Sequence, residues 1–230
     1  QRAMASVMSI FGIAPAVAPV VGGWLLALAG WRAIFVFLAL FSLALAWLTW
    51  RHLPETLPPG ARQSLHPAHL GRAYLQIGRS AAFALLAGAV AFNFNGFFLY
   101  VLSAPVFLMD HLGVAETGFA WLFVPAVLGM VAGSMLSGRV AGRWSARATI
   151  VTGFVIMFAA SVLNIGHALW WAPGLPASVL PIMIFNVGMA LAMPSLTLLA
   201  LDLFPDRRGL ASSCQSFLQV GVNADRKSVV

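Results

Sequence analysis

Long apolar runs, separated by short polar or basic links, fill almost the whole chain. A transmembrane helix needs about 20 mainly apolar residues, and six stretches qualify: residues 4–29, 33–50, 81–109, 117–138, 148–171 and 177–203. Gly30-Trp31-Arg32 is a very tight turn between the first two. A polar stretch, residues 51–80, follows the second and holds Pro54, Pro58, Pro59, Pro67, Gly60, Gly71 and four Arg. Residues 110–116 form a short polar link, and 139–147 a basic one. Pro173, Gly174 and Pro176 break the chain after the fifth run, and Pro205-Asp206-Arg207-Arg208 ends the sixth. From Gly209 a seventh run begins. A soluble helical array of this length would need polar helix faces, and these runs have none. The pattern predicts an all-α, polytopic transmembrane bundle of about six full spans plus the start of a seventh.

Composition narrows this further. Of the 230 residues 61% are hydrophobic and only 8% charged, with a mean hydropathy of +0.92. A soluble domain carries about a quarter charged residues, so one or two soluble domains are excluded. Disorder is excluded by the same apolar content. The single Cys, Cys214, rules out an internal disulfide and a Cys-based metal cluster. The formal charge is +7, yet most of the twelve Arg lie in short clusters between apolar runs, which makes no nucleic-acid surface. With alternating spans, nine of them (51, 62, 72, 79, 139, 143, 147, 207 and 208) fall on one side. Arg32 alone falls on the other, beside Asp110 and Glu116. The positive-inside rule then places the 51–80 loop and the 139–147 link in the cytoplasm. Trp24, Trp31, Trp50, Trp121, Trp144, Trp170 and Trp171 sit near predicted span ends, at the depth aromatic belts prefer.

Catalytic constellations are missing. All six acidic residues (Glu55, Asp110, Glu116, Asp202, Asp206, Asp225) lie in loops or at span ends. The five His are scattered, and His66 and His69 in the Pro-rich loop read as solvated rather than as metal ligands. There is no phosphate-binding Gly-rich loop. No catalytic residue, metal site or cofactor is expected. A polytopic membrane enzyme, such as a lipid-modifying transferase, would have to build on His66/His69 or Asp202/Asp206, and neither pair has a partner set.

What remains is chemistry that shapes backbone. Residues 14–23 of the first run combine Pro15 and Pro19 with small residues at four-residue spacing. Proline removes a backbone donor and bends a helix, while small residues admit a close neighbour. Ala14-x-x-x-Ala18-Pro19-Val20-Val21-Gly22-Gly23 resembles the antiporter motif of the fifth helix of major facilitator superfamily drug exporters, with Ala in place of two glycines. Gly30-Trp31-Arg32-x-Ile34-Phe35 is similar to the outer turn into helix six of that family. Leu53-Pro54-Glu55-Thr56-Leu57 is similar to the signature that follows helix six. Tyr100-x-x-Ser103-x-Pro105 resembles helix seven of the Bcr/CflA drug-resistance group. Gly138-x-x-x-Gly142-Arg143-x-x-Ala146-Arg147 resembles the loop motif between helices eight and nine, with Gly142 where the family has Asp.

The resemblance implies a partial major facilitator fold. Residues 1–50 would be the last two helices of the N-terminal half, 51–80 the cytoplasmic central loop, and 81–223 helices seven to the start of eleven. It also implies a proton-coupled exporter of small drugs or metabolites in the bacterial inner membrane, a monomer when full length, working by alternating access. Its partners would be a small-molecule substrate, protons and the lipid bilayer. A metabolite or sugar transporter of the same fold stays open as the alternative. Ala14, Ala18, Pro19, Gly22 and Gly23 would be the conformational motif, and Gly138, Arg143 and Arg147 the loop motif.

Polar residues inside membrane spans are functional candidates by default. Asn93, Tyr100 and Ser103 follow at i, i+7 and i+10, close to one helical face, whereas Asn95 points about 200° away from Asn93. Asn186 lies in the sixth run. These four, Asn93, Tyr100, Ser103 and Asn186, are the candidate substrate contacts, against the alternative of plain interhelical hydrogen bonding. Asn164 and His167 are expected at the membrane interface, and Gly129, Gly133 and Ser137 in helix packing. With no mid-span carboxylate, the proton-coupling group is not assigned. Beginning at Gln1 and ending soon after its seventh run opens, the chain is expected to be a piece of a longer protein. Residues 224–230 are expected to be a non-native tail, because Lys227 is the only Lys and three charges enter an apolar run there.

Overall fold

Glycine sets the first turn. In a computed structural model that describes residues 21–22, 24–26, 28–55, 66–107, 120–172 and 174–224, Gly30 has φ +75°, a conformation that costs glycine nothing and other residues much. Helical residues end there, with Gly30 N–H donating to Leu26 O at 3.0 Å. Helix α1, Trp31–His52, starts immediately beyond. Arg32 folds its guanidinium over the Trp31 ring, 4.6 Å from the centroid. At the other end Leu53 N–H donates to Thr49 O, and Pro54 cannot continue the helix. No residue of α1 is buried.

The chain divides into two compact units, residues 17–71 in one and residues 1–16 with 72–230 in the other. The second unit holds the bundle. Helix α2, Pro67–Gly78, crosses from one unit into the other in sequence. It occupies part of the stretch expected as loop. Pro67 suits a first helical position, where its missing N–H is no loss, and the His66 Nδ1 accepts from Ala68 N–H at 3.3 Å. His66 therefore acts as a helix cap, and no group of metal-ligating side chains is found among the described residues.

The remaining helices are α3 (Ala81–Pro105), α4 (Ala120–Val140), α5 (Ala146–Trp170), α6 (Leu180–Asp202) and α7 (Arg208–Ala224), with a short 3-10 turn at Pro205–Arg207. Ser80 and Ser145 start α3 and α5: their Oγ atoms accept from Phe83 N–H at 3.3 Å and Ala148 N–H at 3.1 Å. Among the described residues five helices, α1 and α3 to α6, are long and apolar enough to cross a membrane. The expected first span, 4–29, lies mostly outside them, as do residues 225–230 of the expected tail. Helix α7 starts one residue before the expected seventh run.

Helix α6 is the axis of this unit. Every residue from Gly188 to Thr197 is buried, and α3, α4 and α5 all pack on it. The neighbours approach through glycine. A Cβ on Gly129 would strike the Met183 carbonyl, and one on Gly133 the Val187 carbonyl. Gly153 of α5 and Gly188 of α6 face each other, so that a Cβ on either would lie 2.5–2.6 Å from the other's carbonyl oxygen. Lipid offers no hydrophobic drive for helix association, so such close backbone contact carries the packing. Gly129, Gly133 and the fully buried Ser137 occupy the packing role expected of them. A second cluster joins Ile77 of α2 to Phe83 and Ala87 of α3, Ala200 of α6 and Ala211 of α7.

Candidate functional site

Three helices converge on a cavity of about 190 Å³. From α3 come Phe97 and Tyr100, from α5 Ser161 and Asn164, and from α6 Phe185 and Asn186. Gly96 makes the wall possible: a Cβ there would meet the Phe185 ring at 2.5 Å. Phe97 anchors the floor in the core cluster with Ala126, Met130, Met157, Met189 and Ala190.

Asn186 is fully buried, 0% exposed, and neither its Nδ2 nor its Oδ1 has a hydrogen-bond partner among the described residues. The Tyr100 hydroxyl is likewise unpartnered. An unsatisfied buried polar group costs about 1–3 kcal/mol, more where no water reaches it. A protein keeps such groups for a reason. Asn186 offers two donors and an acceptor, and Tyr100 one of each. Ser161 instead spends its hydroxyl proton on the Met157 carbonyl of its own helix at 2.9 Å. Among the described residues no carboxylate or basic side chain lines the cavity. Chemically, this lining has aromatic contact and one or two hydrogen-bonding groups to offer a small, mostly apolar molecule.

The sequence candidates separate here. Tyr100 and Asn186 share the cavity. Asn93 lies deeper, fully buried, with Nδ2 donating to Met189 O at 3.2 Å and to Met193 Sδ at 3.4 Å. It ties α3 to α6 and does not line the cavity. Ser103 is exposed and donates to Leu99 O of its own helix at 2.9 Å, outside the cavity. Asn95, on the opposite face from Asn93, is also buried, because α3 packs against both α6 and α7. Asn164, expected at the interface, lines the cavity from an exposed position. His167 does not; it stacks on Trp171 with ring centroids 6.2 Å apart.

Of the conformational motif, Ala14, Ala18, Pro19 and Gly23 lie outside the described residues. Gly22 is helical, and nothing lies within 4 Å of where its Cβ would stand. In the loop motif, Gly138 closes the last turn of α4. Val140 O accepts from Arg143 N–H at 2.9 Å and Trp144 N–H at 3.0 Å, a tight turn made by Gly142 at φ +82°. Arg143 and Arg147 are exposed and have no carboxylate partner among the described residues. Of the other candidate pairs, Asp202 is held by Arg208 at 2.7 Å across the turn into α7. Both side chains are more than half exposed, so the pair adds little stability.

Comparison with known proteins covers nearly the whole chain. The family model described as Major Facilitator Superfamily matches residues 1–222. A chloramphenicol resistance protein of Pseudomonas aeruginosa is 28% identical over 185 residues, 80% of this chain and 43% of its own length. A bicyclomycin resistance protein homolog of Haemophilus influenzae is 26% identical over 158 residues, 69% and 40% of the two lengths. The multidrug transporter MdfA of Escherichia coli O6:H1 is 28% identical over 219 residues, 90% and 50%. The chain thus spans half or less of these relatives.

Proposed function

The chain belongs to the major facilitator superfamily, and on that premise we propose that it forms the central part of a bacterial inner-membrane exporter of small drugs or metabolites. Transport proceeds by alternating access, with two helical halves rocking about a shared cavity, in a protein that works as a monomer and exchanges substrate for protons. The observation that carries this reading is the pair of unpartnered polar groups, Asn186 and Tyr100, on one aromatic cavity inside spans α3 and α6. Relatives named for chloramphenicol resistance, bicyclomycin resistance and multidrug transport support export. A cavity of about 190 Å³ is below the roughly 300–1,000 Å³ of a complete drug-sized site. It is therefore one wall of the site, contacting part of the substrate.

The orientation proposed puts the 51–80 segment and the 139–147 link in the cytoplasm. Proton coupling requires a carboxylate or equivalent in the cavity. Within the described spans the nearest acid is Asp202, at the end of α6 and paired with Arg208. The coupling group accordingly lies outside these spans.

Everted membrane vesicles carrying the full-length protein test the reading. Energised vesicles should accumulate a fluorescent drug, and an uncoupler should release it. Accumulation that survives the uncoupler would refute proton exchange, and none across a panel of lipophilic drugs would refute drug export.

A further inference from the structure

Helix α2 turns one face away from the bundle. Ala73 and Ile77 are its buried residues, and the seating of Ile77 against Phe83, Ala87, Ala200 and Ala211 fixes the rotation of the helix. Arg72, Leu75, Gln76 and Arg79 then share another side, within roughly 100° of arc. Together with Ser80 they line an open recess of about 380 Å³. Ser80 is also the residue that starts α3, whose membrane-crossing stretch opens at Ala81. The recess therefore sits where lipid headgroups begin.

Its chemistry is cationic and unspent. Among the described residues Arg72 and Arg79 have no carboxylate partner and no acid lines the recess. Arg207 brings a third guanidinium to the same edge, donating from Nη1 to Gln76 Oε1 at 2.9 Å. The Ser80 Oγ accepts from Phe83 N–H, which leaves its own proton free to donate outward. Between the two arginines Leu75 is 55% exposed. A surface helix that mixes arginines with an exposed apolar side chain suits the boundary between headgroups and acyl chains.

We propose that this recess binds the phosphate of an anionic phospholipid. Arg72 and Arg79 donate to the phosphate oxygens, Ser80 adds its hydroxyl, and Leu75 touches the start of the acyl chains. Leu75 and the position at the mouth of a span favour a lipid over a free anion, which could use neither.

Native mass spectrometry of the full-length protein in detergent, offered equal amounts of phosphatidylglycerol and phosphatidylcholine, reads the preference directly. Each interfacial Arg is worth about fivefold in attraction to an anionic surface, so Arg72→Gln with Arg79→Gln should lower the phosphatidylglycerol preference about thirtyfold. Arg72→Lys with Arg79→Lys should keep most of it, because lysine still binds phosphate as a point charge. Arg51→Gln, which removes a charge that does not line the recess, should leave it unchanged. The proposal is overturned if the Gln pair retains the preference, if the Lys pair loses it while melting normally, or if Arg51→Gln lowers it equally. Displacement of bound phosphatidylglycerol by millimolar inorganic phosphate would also overturn it, since the site would then be one for free anions.

Discussion

Replacing Gly188 by Ala adds one methyl group at a crowded point of the bundle. An ideal Cβ there stands 2.5 Å from Gly153 O, 2.9 Å from Met157 Cγ and 3.0 Å from Met157 N. Ordinary contact begins at 3.4 Å, so α5 and α6 must separate by about 0.9 Å at this level. Two of the three obstacles are backbone atoms, which cannot rotate away. The separation would loosen the reciprocal Gly153–Gly188 contact and the weak Cα–H···O attraction that such pairs provide. Overpacking of this kind costs about 1–3 kcal/mol. Gly88→Ala in α3 is the matched control: nothing lies within 4 Å of its Cβ, and Ala stabilises a helix interior relative to Gly by about 0.5–1 kcal/mol. Thermal unfolding of the detergent-solubilised full-length protein should place Gly188→Ala below wild type and Gly88→Ala at or above it. Equal melting of the two variants would refute the claim that these helices meet backbone to backbone.

Four further outcomes are expected. Asn186→Leu should raise thermal stability, by up to about 1–3 kcal/mol, while lowering export of drugs; reduced stability would show that its amide is already partnered. Tyr100→Phe should lower export for substrates with hydrogen-bonding groups more than for those without, measured as efflux at matched expression. Gly142→Val should destabilise by about 1–3 kcal/mol because of the positive φ, whereas Gly142→Asp should be milder, since Asp enters that region more readily; a protease-resistance assay giving the reverse order would contradict the turn. A Cys placed at Ser64 should resist labelling by an impermeant maleimide added outside the cell, and ready labelling would invert the proposed orientation.

The spans were legible because their signal is length and polarity, which bilayers impose one helix at a time. The run expected at 148–171 is the helix Ala146–Trp170, and that expected at 177–203 is Leu180–Asp202. Helix α2 was not legible, since Pro67 and Gly71 read as breakers. Yet Pro67 is a helix-start signal, and Ala73 and Ile77 at i and i+4 form a short buried stripe. The site was half legible. A single-helix wheel groups Asn93, Tyr100 and Ser103, but depth along the axis decides what each meets: Met189 for Asn93, the cavity for Tyr100, its own backbone for Ser103. Asn164 could not be found that way, because its relation to Asn186 exists only once α5 and α6 are packed.

The seating of α4 and α5 on the carbonyls of α6 bears on how this bundle can move. Side chains that interdigitate slide past one another by changing rotamer, one residue at a time. Peptide oxygens pressed against Gly129, Gly133 and Gly153 have no rotamers to change. Displacing one helix here means lifting it off its neighbour along several turns at once, so α4, α5 and α6 behave as a single stiff block. In the alternating access proposed above, any opening to either side of the membrane is carried at the margins of that block, with the block itself serving as the lever arm.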